Sequence, residues 1–250
     1  MPAYTAHDEL ELLYQDDHYV AVNKPAGLLV HRSRIARDVR VFLLQELRNQ
    51  VGQWVYPVHR LDRPTSGVLV FGLDPEAARR LGQMFMERRV RKTYLAVVRG
   101  HPPRRGWVDH PLREPEEEAP REAVAAGKPP ERPALTLYRR LAEVELPFAV
   151  SRYPTSRYAL VALRPRTGRR HQLRRHMKHI AHPIVGDKRY GDHRHNRFFR
   201  EHFDCRRLLL HACRIAFRHP FTGNAVVVEA GLDAPFRAIV NALGWGDRVP

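Results

Sequence analysis

His59-Arg60-Leu61-Asp62-Arg63-Pro64-Thr65-Ser66-Gly67 runs directly into Val68-Leu69-Val70-Phe71-Gly72-Leu73. The second half is a compact apolar run, short and rich in valine, and reads as a buried strand. The first half is polar and bounded by proline and glycine, so it reads as a loop entering that strand. An aspartate held on such a loop between two arginines is kept ionised by the neighbouring cations and is available as a nucleophile or base. The same letters also suit a loop aspartate locked in a structural ion pair, and spacing alone leaves both readings open.

Working outward, Asp74-Pro75 supplies an N-cap and a first-turn proline. Ala77, Leu81, Met84 and Phe85 then recur at the spacing of an amphipathic helix. Lys92 to Arg99 reads as the next strand. Strands are also expected at Glu11 to Gln15, Tyr19 to Asn23, Leu135 to Tyr138, Tyr158 to Leu163, Leu208 to Phe217 and Ala225 to Glu229. His219 to Asn224 suits a hairpin turn, and Asp233-Ala234-Pro235 starts a last helix through Leu243. Residues 101–133 carry eight of the twenty prolines and a Glu116-Glu117-Glu118 run, the composition of a surface insertion without a core of its own. Strands outnumber helices and do not alternate with them, so the expected class is α+β with a mixed, mostly antiparallel sheet. One domain over residues 1–250 is expected.

The chain has 43 Lys+Arg against 27 Asp+Glu, a net charge of +16, and the excess is local. Arg152 to Arg218 holds 18 basic residues and only Asp187, Asp192, Glu201 and Asp204 as acids. That density attracts a polyphosphate, which makes nucleic acid the expected partner. No apolar run is long enough to span a bilayer, and the N-terminus lacks the basic and apolar regions of a secretory signal. A cytoplasmic monomer with no membrane partner is expected. Cys205 and Cys213 alone cannot build a disulfide scaffold or a Cys-x-x-Cys site.

The motifs of ATP, dinucleotide and serine-hydrolase chemistry are missing. His7-Asp8-Glu9 matches part of a zinc-deaminase motif, but the cysteines it needs are not there. His171, His176, His179 and His182 form a histidine cluster with no carboxylate before Asp187, so phosphate-facing or structural roles are favoured and no metal is expected. Two further segments carry chemistry. Tyr94, in Lys92-Thr93-Tyr94, is either core filler or an aromatic that stacks on an unstacked base. In Gly168-Arg169-Arg170-His171-Gln172-Leu173-Arg174-Arg175-His176, a helix aligns Leu173 with Met177 and Ile180 and puts Arg170 and Arg174 one turn apart. Such a helix either seats a guanidinium against a carboxylate or lies on phosphates.

Taken together, HRLDRPTSG, KTYLAVVRG and TGRRHQLRRH resemble, in content and order, the RluA family of RNA pseudouridine synthases, and the likeness extends from VAVNKPAGLLVHRS to HPFTGN. The resemblance implies a catalytic Asp62 and an Arg60 that fills the gap left by a flipped uridine. It implies a Tyr94 that stacks on the uracil, a Leu173 that touches the base, and an Arg174 that pairs with the catalytic carboxylate. Arg169, Arg170, Arg175 and Lys178 are expected on an RNA-facing basic surface. No cofactor is implied. The substrate implied is RNA, in the first place tRNA at uridine 65 of the T-stem, with ribosomal RNA or binding without catalysis as alternatives. Only 58 residues precede His59, so no N-terminal accessory RNA-binding domain is expected.

Overall fold

The computed structural model describes residues 9–31, 41–114, 125, 127 and 129–249. His7, Asp8 and the Glu116-Glu117-Glu118 run lie outside them. The strands are β1 (Leu12–Gln15), β2 (Tyr19–Lys24), β3 (Tyr56–Pro57), β4 (Ser66–Gly72), β5 (Arg91–Arg99) and β6 (Arg105–Asp109). They continue with β7 (Leu112–Arg113), β8 (Glu131–Arg132), β9 (Leu135–Leu146), β10 (Ser156–Pro165), β11 (Leu210–Arg218) and β12 (Ala225–Glu229). The helices are α1 (Leu43–Val51), α2 (Pro75–Met86), α3 (Gln172–His179), α4 (His193–Phe203) and α5 (Ala234–Ala242). The class is α+β and the strand pairings are mostly antiparallel, as the sequence predicts. The chain divides into two compact units, one built from the residues up to Tyr94 and from Arg207 onward, the other from Leu95–Arg206.

In the first unit β4 is flanked on both edges. β2 pairs with it antiparallel, while β11 pairs parallel at His211↔Ser66 and Ala212↔Gly67, and β3 joins at Gly72 and Phe71. All seven β4 residues are buried, which is why its sequence is a continuous apolar run rather than an alternating one. Its side chains still alternate between two cores. Val68 and Val70 pack with Ala77, Leu81 and Met84 of α2. Leu69 and Phe71 pack with Leu43 and Leu47 of α1, and Leu61 and Tyr94 join that second cluster. The α2 start is the predicted one: the Asp74 carboxylate accepts from the Ala77 N–H at 2.8 Å with Pro75 behind it.

In the second unit β9 and β10 form a long antiparallel hairpin with β6 on the outer side of β9. β7 and β8 pair across the insertion, so the described part of 101–133 contributes three short strands. α4 is absent from the sequence reading because HRHNRFFREHF hides its buried face, which rests on His195 and Phe199, among charged residues.

Candidate active site

The loop entering β4 is fixed from several directions within the first unit. Leu61, 7% exposed, sits in the α1-side core and anchors the residue before the aspartate. The Asp62 carbonyl accepts from the Thr65 N–H at 3.0 Å, closing a tight turn over Arg63-Pro64. The Arg63 carbonyl accepts from the Gly27 N–H at 2.8 Å, and Arg63 Nε donates back to the Gly27 carbonyl at 2.9 Å. Lys24, at the end of β2, is fully buried, and its Nζ donates to the carbonyls of Pro25, Leu28 and Arg63 at 2.9, 2.9 and 3.1 Å. One ammonium thus ties the turn after β2 to the residue following Asp62. Burial pushes Lys24 down to about 7; the Arg207 and Arg63 cations add to that and the Asp62 carboxylate opposes it.

Gly67 is required by the parallel pairing. Its φ is +109°, and a Cβ there would stand 2.2 Å from the Ala212 carbonyl oxygen. Beside it, Ser66 opens a buried polar chain. The His211 Nε2 sits 3.1 Å from the Ala230 carbonyl, an acceptor only, so that nitrogen carries the proton. Nδ1 then accepts from Ser66 Oγ at 2.8 Å, and Ser66 Oγ accepts from Arg207 Nη2 at 2.8 Å. Arg207 is also paired with Asp233. Burial holds His211 down to about 4, which keeps it neutral in this chain of bonds.

Tyr94, half-buried on β5, is raised above the ordinary phenol value, first by burial and then by its electrostatic interaction with Asp62 and Cys213. The carboxylate, the phenol and the Lys24 ammonium are therefore electrostatic neighbours. His59 is a prop rather than a proton donor: its Nε2 accepts from the Val70 N–H at 3.0 Å, its ring stacks on Phe85, and burial pushes it down to about 3. Arg60 is exposed.

In the second unit Leu173 and Arg174 are both buried on α3. Arg174 Nε and Nη2 donate to the two Asp187 oxygens at 2.7 and 2.9 Å. Asp187 Oδ1 also accepts from the N–H groups of Arg189 and Tyr190. Burial alone would raise Asp187, but the Arg174 hydrogen bonds and charge, with those two N–H groups, hold it below the usual carboxylate value. Arg169 Nε donates to the Pro133 carbonyl and Arg175 Nη1 to the Arg113 carbonyl; Arg170 is half-buried and Lys178 exposed. The histidines take structural partners. His176 bonds Thr136 Oγ1 and the His110 carbonyl, His182 the Arg99 carbonyl and His171 the Tyr190 hydroxyl, while His179 stacks on His110. No group of three or more metal-ligating side chains is placed to hold an ion among the described residues. Lys24, Arg207, Ser66, His211 and Asp187 carry no role in the sequence reading. The Lys24-Pro25 pair lies within the quoted family likeness, but a lysine inside a strand end gives no sign that it will be buried.

A strand-entry loop presenting a carboxylate whose charge acts on a strand phenol, in a mostly antiparallel α+β fold, has a known counterpart. The chain belongs to the RNA pseudouridylate synthase family, whose model matches residues 18–179. It is 51% identical over 241 residues to the tRNA pseudouridine synthase C of Salmonella typhi, covering 96% of this chain and 92% of that one. With the tRNA pseudouridine synthase C of Vibrio cholerae the identity is 49% over 240 residues, covering 96% and 98%. Among solved structures, human RNA pseudouridylate synthase domain containing 1 matches with a TM-score of 0.70 at 28% identity, over 98% of each chain.

Proposed function

We propose that this chain isomerises a uridine of tRNA to pseudouridine, in the first place uridine 65 of the T-stem, as a monomer in the cytoplasm and without a cofactor. The observation that carries the proposal is the Asp62 loop, clamped by Lys24 and anchored by Leu61 in the core cluster against which Tyr94 packs, with the Asp62 charge acting on the Tyr94 phenol, inside the span matched by the family. Identity near 50% to tRNA-acting relatives supports the substrate.

The reaction breaks the N1–C1′ bond and forms a C5–C1′ bond on the same ring; N1 gains a proton and C5 loses one. It needs no electron acceptor and no phosphoryl donor. The base must first leave its stack, at a cost of a few kcal/mol. Stacking on Tyr94, worth about 1–3 kcal/mol, and entry of the exposed Arg60 into the gap offset that cost. Asp62 then acts at the sugar, by attack on C1′ or by removal of the C2′ proton. Following the family likeness, Leu173 is assigned to the base and Arg174 to the carboxylate, with Asp187 orienting the Arg174 guanidinium. Arg169, Arg170, Arg175 and Lys178 are assigned to RNA phosphates. Incubating the protein with an unmodified tRNA transcript and mapping pseudouridine by position tests the proposal. Product at uridine 65 is expected; no product in the tRNA, with product in unmodified ribosomal RNA incubated in parallel or in neither, overturns it.

A further inference from the structure

α4 turns its apolar side inward. His195 Nδ1 meets the Tyr158 hydroxyl at 2.8 Å, and Phe199 packs edge-on against the Tyr158 ring. The outward side faces a cavity of about 660 Å³ in the second unit. Its lining carries Lys188, His193, Arg194, Arg197, Arg200 and Arg206 and no acidic side chain. The wall is already built. Asn196, from α4, accepts from the Gly186 N–H at 2.7 Å and donates to the Asp187 carbonyl at 2.8 Å, fixing the loop against the helix.

Two of these cations have exposed acidic neighbours, Arg200 with Glu201 at 3.6 Å and Arg206 with Asp204 at 3.1 Å, pairs that solvent weakens. Among the described residues the Arg194 side chain reaches only Ser151 Oγ, at 3.4 Å. The side chains of Lys188 and Arg197 make no hydrogen bond or ion pair among the described residues. Five like charges around one concavity repel one another, and a ligand that relieves this must carry repeated negative charge. Arg194, Arg197 and Arg200 step along α4 every three residues, about 4.5 Å of rise each, which suits a chain of phosphates better than a single small anion. Planar guanidiniums bind phosphate oxygens in bidentate fashion.

We propose that this cavity binds the phosphodiester backbone of the RNA substrate, with Arg197 and Lys188 as its principal contacts. The proposal rests on the tRNA reading above and adds a second RNA contact to the residues assigned there. The test is equilibrium binding of a labelled, unmodified tRNA transcript by the full-length protein across a salt series. Lys188→Gln combined with Arg197→Gln is expected to weaken binding about tenfold near 0.1 M salt and to lower the slope of log affinity against log salt by about 1–2. Arg197→Lys is expected to keep the slope. A control of equal charge change, Arg79→Gln with Arg214→Gln, removes two exposed cations already paired with Glu76 and Glu229 and is expected to leave the slope unaltered. An unchanged slope in the cavity variant, or an equal loss in the control, overturns the proposal. Pseudouridine analysis of the same RNA after incubation with the unaltered protein judges the functional reading separately: absence of product overturns that reading, while the salt slope still decides the cavity.

Discussion

Asp62 and Asp187 each lie near arginines, yet their surroundings differ in kind. Asp187 is 1% exposed, held by both prongs of one edge of the Arg174 guanidinium and by two main-chain N–H groups. Four donors leave such a carboxylate little capacity to attack or to take a proton. Asp62 is half-buried on a turn whose rigidity comes from main-chain bonds and from Lys24, and its charge is felt by a phenol. The difference teaches that an aspartate beside arginine is structural when donors saturate it, and chemical when the scaffold is rigid around it.

The largest expected effect breaks that pair apart. Asp62→Asn keeps shape and main-chain bonds, so pseudouridine formation should fall by at least about 1,000-fold. The melting temperature should stay close to that of the unaltered protein. Asp187→Asn should instead lower stability by about 3–5 kcal/mol, because Arg174 is left buried beside a neutral group. Thermal denaturation and single-turnover assays on both variants check this. Turnover surviving in Asp62→Asn, or a melting temperature unmoved in Asp187→Asn, would erase the contrast.

Much of the contrast was legible in the letters. Proline, threonine and glycine around Asp62 announce a rigid loop, and the run from Gly67 to Leu73 announces the strand behind it. The burial of β4 and the α2 cap follow from residue type and spacing alone, whereas the two cores on either face of β4 do not. Asp187 was not legible as a partner of Arg174, because thirteen residues separate them and nothing in sequence tells how the loop after α3 returns. Lys24 was hidden for a different reason: lysine is ordinarily exposed, and its burial depends on three carbonyls brought together by two loops far apart in the chain. The Ser66–His211–Arg207 chain likewise exists only once β11 lies parallel beside β4.

Arg174→Lys sharpens the comparison with a smaller effect. A lysine keeps the charge beside Asp187 but not the fork, so a loss of about 1–3 kcal/mol is expected from the broken bidentate bond. If Arg174 also serves the Asp62 carboxylate, as proposed, kcat measured well below the melting temperature should drop by about tenfold or more while KM for tRNA changes little. A wild-type kcat under those conditions would confine Arg174 to its structural bond with Asp187.

The smallest effect is a pH window that separates histidines from Asp187. His59, His176 and His211 are pushed by burial down to about 3, 4 and 4. Their folded values lie below the unfolded one near 6.5, so between about pH 6.5 and 4 the unfolded chain binds more protons than the folded one. The stability they contribute is fully present above 6.5 and drains away as pH falls through that range. Asp187 is also depressed, so its contribution persists through the histidine window and is lost only below the ordinary aspartate value of 3.8. Urea denaturation at a series of pH values should therefore show a first decline between pH 6.5 and 4 that His176→Gln makes shallower and Asp187→Asn leaves in place. The decline belongs to both units, since His59 and His211 lie in the first and His176 in the second. A flat profile down to pH 4 would mean that these rings take up protons in the folded state, which at His59 requires breaking the bond that its Nε2 accepts from the Val70 N–H of β4.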